Sequence, residues 1–244
     1  MNKNLLNISQ KKCITVYKQI LKNAQRHIDC AAAISKNRDY GNAIFHLIIG
    51  TEETVKALII FLDGMGLHLR NTIGVKVFFR GGLTHKTRQA FAGIIYEYNI
   101  FFKKYLKMHE QLKEIIRKVE EEGLPKSKTD KLFNNIDIHF PLKLKAKVNS
   151  AMHWWIQADR LKQNAIYVDY EENLITPFTL NFFDYKKANK YCVEFCHDIF
   201  EFIDYFKKLN KYDKQWYIYN ANKKNINQLI ENIINLGKIN IQPT

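Results

Sequence analysis

The chain has 244 residues, of which 46% are hydrophobic and 25% are charged, a mixture typical of a globular protein with a sizeable core. Its formal net charge of +14 favours polyanionic partners such as RNA or the ribosome; a lysine-rich composition without functional meaning is the competing explanation. With 10 glycines and 4 prolines, long helices are favoured over a turn-rich all-β fold, and the strongest apolar runs are too short and too charged to span a membrane.

The amino-terminal residues and the cysteines indicate the compartment. The first ten residues are polar and do not resemble a secretory signal, so we expect a cytoplasmic protein. The four cysteines form no disulfide framework, and Cys192 and Cys196 lack a second pair of ligands at zinc spacing. We therefore expect reduced, buried thiols, with no metal and no cofactor.

Apolar residues at three- and four-residue steps predict two consecutive helices near the start of the chain. The first is expected over residues 12–37, followed by a bend at residues 38–41. The second should end near Asp63, where Gly64 and Gly66 stop it. A long third helix is expected to start after Thr84, as N-cap, and to end at Gly123.

The second half of the chain predicts further helices. One fits residues 144–163, one begins near Asp184, and a weaker one spans residues 223–236, with a short β-like stretch at residues 165–170. The predicted fold class is all-α, a helical bundle of long antiparallel helices with at most one short β hairpin or extended arm. We expect a single domain over 1–244, with a core at about 12–163 and a C-terminal helical extension at about 164–244.

The second predicted helix carries polar residues among its apolar ones. At about 100° per residue, five of them fall within an arc of roughly 80°: Arg38, Asn42, His46, Glu53 and Lys56. Because buried charges are costly unless they are paired, charges on so apolar a helix suggest a site. The alternative is an ordinary surface pair, since Glu52 and Lys56 stand at i and i+4.

A second group of candidates lies in the sequence Arg80-Gly81-Gly82-Leu83-Thr84-His85-Lys86. A histidine can move the proton of a ribose 2′-hydroxyl or of the leaving oxygen, and an arginine can hold the scissile phosphate. The two glycines would allow close approach to a phosphate at the start of the following helix. The alternative is a glycine turn followed by a capped helix.

A third group combines Arg160 with Tyr167 and Asp169. Here the structural alternative is that Arg160 ends a helix, where a cation complements the helix dipole. Trp154 and Trp155 can stack on bases, but such aromatics more often lie in a core or a dimer interface.

These residues resemble a known family. The sequence AAAISKNRDYGNAIFHLIIGTEETVKALIIFL at 31–62 resembles the helix pair of AbiV-type abortive-infection proteins, including their Glu-Glu-x-x-Lys motif. Thr84-His85-Lys86 is similar to the family's His-Lys motif, and residues 160–169 with Pro177 are similar to its later Arg…Tyr-Val-Asp segment.

The helix pair also resembles the broader HEPN superfamily, many of whose members are ribonucleases that use Arg-x(4–6)-His across a dimer interface. Arg80 and His85 fit this spacing, but they precede a long middle helix, whereas the usual motif lies in a late helix. The resemblance implies a homodimer that acts on RNA or the ribosome and responds to a phage-encoded activator protein, without a membrane.

Two functional hypotheses follow. In the first hypothesis, the protein shuts down translation after phage infection as a HEPN-like, metal-independent ribonuclease that cuts cellular RNA. In the second, it is a non-catalytic module that binds RNA, the ribosome or a phage protein and blocks translation stoichiometrically. The catalytic candidates are His85, Arg80, Lys86, Glu53 and Lys56. The substrate-binding candidates are Arg38, His46, Glu52, Arg88, Arg160, Tyr167 and Asp169.

Overall fold

A computed structural model describes residues 5–71, 153–155, 157–167, 169–170 and 174–209, together with residues 92, 114–115, 117–118, 121, 123, 211 and 214. At its centre are two consecutive helices, α1 (Gln10–Lys36) and α2 (Tyr40–Gly64), which pack against each other along their length. Ser9 caps α1, and Asp39 caps α2 by accepting a hydrogen bond from the Asn42 backbone N–H.

Helix α2 forms the middle of the described core. Its buried side chains lie on every face, including Ile44, Leu47, Ile48 and Val55, because α1 covers one side and a later helix covers another. A helix that is apolar nearly all round is stable only when it is enclosed in this way. The charged side chains Glu52, Glu53, Lys56 and Asp63 of α2 each have an ion-pair partner.

The later helix is α3 (Phe182–Lys208), which begins with a capping box between Asn181 and Asp184. It packs on α2, where the Thr54 hydroxyl donates a hydrogen bond to Cys196 Sγ at 3.2 Å. Burial raises the pKa of the Cys196 thiol to about 11, which keeps this thiol protonated and unreactive.

A further helical segment contains residues 153–155 and 157–164, and we call it the tryptophan helix. Trp154 stacks on Tyr191 of α3 with ring centroids 5.1 Å apart, and Trp155 packs edge-on against Phe195 at 5.5 Å. Both tryptophans are buried. They are core aromatics of the described structure, as the structural alternative predicted. Each packs a large apolar ring against a buried aromatic side chain of α3.

Two-residue strands β1 (Asp169–Tyr170) and β2 (Leu174–Ile175) pair antiparallel and form one short hairpin. The chain then makes a 3-10 turn at Pro177–Thr179, which lies against the start of α2. A Cβ atom added at Gly41 would lie 2.7 Å from the Pro177 carbonyl oxygen. Glycine at this position therefore permits the close approach of the two segments.

The described structure confirms the predicted all-α class with its single short hairpin. The first helix, predicted over 12–37, spans Gln10–Lys36, and the second ends at Gly64. Helix α3, predicted as part of a C-terminal extension, packs into the same core as α1 and α2. Within the described ranges, every helix is too short or too polar to cross a bilayer. The predicted helices at 84–123 and 223–236 lie largely or wholly outside the described residues.

Candidate functional site: a polar cluster between α1 and α2

Polar side chains from α1 and α2 meet along one edge of the interface between these helices. We call the group the α1–α2 cluster and define it by five residues: Asn23, His27, His46, Glu53 and Lys56. All five are half-buried. Asn23, Glu53 and Lys56 are in contact with one another, His27 is in contact with His46, and Glu53 and Lys56 act electrostatically on His27. The two helices run antiparallel, which brings residues from either side of the bend next to one another.

Glu53 is the acceptor at one end of the α1–α2 cluster. Its Oε1 accepts a short hydrogen bond from Lys56 Nζ, one turn further along α2, and its Oε2 accepts from Asn23 Nδ2 of α1 at 3.3 Å. A carboxylate held from both sides fixes the position of the lysine ammonium. The sequence predicted that Glu53 would orient Lys56 or His85, and the structure shows the contact with Lys56.

The two histidines form the other end of the cluster. Nδ1 of His27 lies 2.9 Å from Nδ1 of His46, and the ring centroids are 5.1 Å apart. At this distance only one of the two nitrogens carries a hydrogen, because the other must present a lone pair. One ring is therefore the Nδ1–H tautomer with a free lone pair on Nε2, and the other is the Nε2–H tautomer.

The charge state of this pair follows from its surroundings. Burial and the neighbouring His46 lower the pKa of His27 from its ordinary value of 6.5, with smaller lowering by Arg26 and Lys56. Glu53 acts in the opposite direction on the same ring. Burial and Arg26 also lower the pKa of His46. Both imidazoles are therefore neutral at pH 7, the state in which a histidine can accept a proton.

Glu52 lies outside the cluster, although it is next to Glu53 in the sequence. Its Oε1 accepts a hydrogen bond from Lys162 Nζ of the tryptophan helix at 2.7 Å, and both side chains are at most 4% exposed. Glu52 therefore does not pair with Lys56 as an i, i+4 surface pair, and the structure places this substrate-binding candidate in the core. The contact joins α2 to the tryptophan helix.

A second buried ion pair secures the amino-terminal end of the bundle. Asp63, near the end of α2, accepts a short hydrogen bond from the Arg70 side chain and a second one, at 3.2 Å, from the Arg70 backbone N–H. Arg70 also donates to the carbonyl oxygen of Leu5. These contacts fix the turn after α2, and both side chains are buried.

The described residues include one group of side chains close enough to share a metal ion. His197, Asp198 and Glu201 lie on α3, with His197 and Glu201 exposed. The separations are 3.9 Å from His197 Nδ1 to the Asp198 carboxylate and 3.8 Å from Nε2 to the Glu201 carboxylate. These are the distances of ordinary ion pairs on a helix surface, which explain the group without a metal.

The remaining candidates are spread over the molecule. Arg38 is exposed at the α1–α2 bend with φ of 63°, Arg160 is exposed on the tryptophan helix, and Tyr167 is 59% exposed just before β1. Asp169 is described only as a backbone position of β1. The other four candidates lie outside the described residues: Arg80, His85, Lys86 and Arg88.

Sequence reasoning missed Asn23 and His27, the α1 half of the cluster. The signal was available in the bend: in two antiparallel helices, residues at nearly equal distances from the connection lie side by side. Asn23 and Glu53 are equally far from the bend at residues 37–39, and His27 and His46 satisfy the relation to within one helical turn. The polar arc predicted from the sequence lies on α2 alone, so the contribution of α1 was not predicted.

Comparison with known families decides which group of proteins this helix pair represents. A family model for AbiV, of the HEPN type, matches residues 12–181, well over half of the chain. The chain belongs to the AbiV family. No curated protein and no solved structure shows a significant match.

Membership in the AbiV family confirms the resemblance drawn from the sequence and makes the protein an HEPN-related abortive-infection protein. The α1–α2 cluster, the tryptophan helix and the β hairpin all lie inside the matched region of this AbiV protein. Helix α3 begins at Phe182, directly after that region.

Proposed function

We propose that this AbiV-family protein stops translation after phage infection by cutting cellular RNA without a metal ion. The observation that supports RNA chemistry is the α1–α2 cluster, which combines two neutral imidazoles, a fixed ammonium and a carboxylate at one half-buried edge. Cleavage next to a ribose 2′-hydroxyl requires proton transfer and neutralisation of phosphate charge, and these are the groups that provide both.

Within this proposal the cluster residues have different tasks. Lys56 binds the scissile phosphate, because its ammonium is half-buried and held in one position by Glu53. Glu53 positions Lys56 and is held by Asn23. The net charge of +14 brings RNA to the protein before any specific contact forms.

The family resemblance supplies the residues that complete the reaction. His85 transfers a proton to the leaving 5′ oxygen, Arg80 is a second phosphate clamp, and Lys86 adds positive charge. Arg38 and Arg160, both exposed, extend the surface that contacts the RNA backbone. We also propose that the protein is a cytoplasmic homodimer that a phage-encoded protein switches on. Light scattering, which measures the molar mass in solution with and without the phage protein, tests the dimer.

The decisive experiment maps RNA ends. Purified protein is added to a translation extract and, in parallel, to RNA purified from that extract in a buffer with EDTA, and the RNA termini of both reactions are sequenced. The proposal predicts new 2′,3′-cyclic phosphate ends in step with the loss of translation. Lys56→Met should reduce their number strongly, whereas Lys22→Met, which removes an exposed lysine of α1, should not.

Two results would contradict the proposal. Translation that stops in proportion to added protein, with intact RNA, would identify a stoichiometric binder of RNA, ribosome or phage protein. New ends that depend on added magnesium would place the chemistry elsewhere, since a metal-dependent nuclease leaves different termini.

A further inference from the structure

Three phenylalanine rings are exposed where the chain enters α3. Phe178, in the 3-10 turn at Pro177–Thr179, is 93% exposed, and Phe182 and Phe183, the first two residues of α3, are 49% and 77% exposed. The ring centroids of Phe182 and Phe183 are 6.1 Å apart, and Phe182 lies 5.8 Å from Tyr40 at the start of α2. Neighbouring apolar rings in water mark a contact surface, because their burial would be favourable.

Hydrogen bonds fix the backbone that carries these rings. In the turn, the Thr179 hydroxyl donates to the Thr176 carbonyl oxygen at 2.7 Å. At the start of α3, the Asn181 side-chain oxygen accepts from the Phe183 backbone N–H at 2.8 Å. A ligand that stacks on the rings therefore does not have to order this part of the chain first, which would weaken its binding.

The charges next to the rings are positive. Between residues 182 and 190, every exposed charged side chain is a lysine: Lys186, Lys187 and Lys190. Residues three and four apart are neighbours on a helix surface, so Phe182 has Lys186 beside it and Phe183 has both Lys186 and Lys187. The acidic residue of this segment, Asp184, is half-buried and accepts from the Asn181 backbone N–H at 3.0 Å in the capping box.

We propose that this part of the molecule binds a single-stranded nucleic acid, with bases stacked on the rings and phosphates in contact with the ammonium groups. We call it the phenylalanine surface and define it by its exposed rings and lysines: Phe178, Phe182, Phe183, Lys186, Lys187 and Lys190. Unpaired bases offer flat faces that stack on aromatic side chains in any sequence, and the phosphates between them carry the opposite charge.

Two other occupants fit the composition of the phenylalanine surface less well. A second copy of the chain in a symmetric contact would bring lysine against lysine. Interfaces with other proteins are enriched in aromatic residues but depleted in lysine, whereas all the exposed charges of this surface are lysines. The inference goes beyond the proposed function, because binding here does not require cleavage, and α3 begins after the region that the AbiV family model matches.

The first test measures binding of the full chain by fluorescence anisotropy. The probe is a labelled, unstructured 2′-O-methyl RNA strand, which cannot be cleaved through its 2′ oxygen, and the same strand in a duplex is the comparison. Wild-type protein should bind the single strand more tightly than the duplex. Replacing Phe178 and Phe183 together with alanine should raise the Kd for the single strand by roughly tenfold or more. Ile166→Ala, which shortens another exposed apolar side chain, is the control.

Matched replacements of one ring separate stacking from apolar contact. Phe183→Trp should preserve binding of the single strand, because it keeps an aromatic face. Phe183→Leu keeps apolar bulk without that face and should lose binding. Since the Phe183 ring is 77% exposed, both variants should keep the thermal midpoint of the wild type, which shows that any loss of binding is not a loss of folding.

The lysines have their own signature in the salt dependence. Lys186→Gln combined with Lys190→Gln removes two phosphate contacts, so the slope of log K against log salt should become shallower by roughly 1.4, at about 0.7 for each contact. Lys208→Gln, which changes an exposed lysine at the other end of α3, should leave the slope unchanged.

Three results would overturn the inference: equal binding of single strand and duplex, an unchanged Kd after loss of both rings, or unchanged binding in Phe183→Leu. The last result would identify an apolar contact with a protein, which tolerates leucine. If the strand binds as expected while end mapping finds RNA intact, the proposed cleavage fails and the phenylalanine surface stands. If RNA is cleaved and the rings make no difference to binding, the opposite holds.

Discussion

Replacing Lys162 with methionine tests the energetic account of the bundle. The Lys162 ammonium and the Glu52 carboxylate are 2.7 Å apart and at most 4% exposed. At an effective dielectric constant of about 20, their attraction is about 6 kcal/mol. The cost of removing both charges from water offsets much of it, but losing one partner leaves the other charge buried. Lys162→Met should therefore lower the free energy of unfolding by about 3–5 kcal/mol.

Urea denaturation followed by the fluorescence of the buried tryptophans measures this loss, and the thermal midpoint should fall by roughly 10 °C. Lys187→Met, which changes an exposed lysine of α3, is the matched control and should leave the midpoint unchanged. Adding Glu52→Gln to Lys162→Met should cost less than the sum of the two single substitutions, because neither charge of the pair then remains. A loss below about 1 kcal/mol for Lys162→Met would refute the reasoning, since that is the value of a solvent-exposed pair.

Two further predictions concern packing and pH. Gly41→Ala should lower the free energy of unfolding by about 1–3 kcal/mol in the same urea assay, because its Cβ would meet the Pro177 backbone at 2.7 Å; an unchanged midpoint would contradict this. The pKa values of His27 and His46 are lowered in the folded protein, so the unfolded chain binds more protons just below pH 6.5. Stability should therefore fall as the pH drops from 7 to 5, and replacing both histidines with glutamine should flatten that slope; a slope that persists in the double variant would refute the assignment.

The sequence was sufficient for the helices because their signals are local. Apolar periodicity and the bend at residues 38–41 predict α1 and α2, and the observed ends differ from the predicted ones by a few residues at most. The β-like stretch predicted at residues 165–170 overlaps the hairpin only at Asp169–Tyr170, and the second strand, Leu174–Ile175, was not predicted. Such patterns depend on neighbours three or four positions away, which a single sequence displays directly.

The contacts that define the site are not local, and here sequence reasoning was incomplete. Glu52 was paired with Lys56 because i, i+4 partners can be read along one helix, whereas its observed partner, Lys162, is 110 positions away. The face of α2 that carries Glu52 is buried, a fact that depends on how the tryptophan helix packs. His27 was missed for the same reason, since its importance comes from His46 across the helix pair.

The most direct measurement is end mapping of RNA incubated in EDTA with wild-type protein and with Lys56→Met. Wild-type protein should produce 2′,3′-cyclic phosphate ends, and Lys56→Met should produce far fewer of them. Intact RNA in the presence of wild-type protein that nevertheless stops translation would contradict the proposed cleavage.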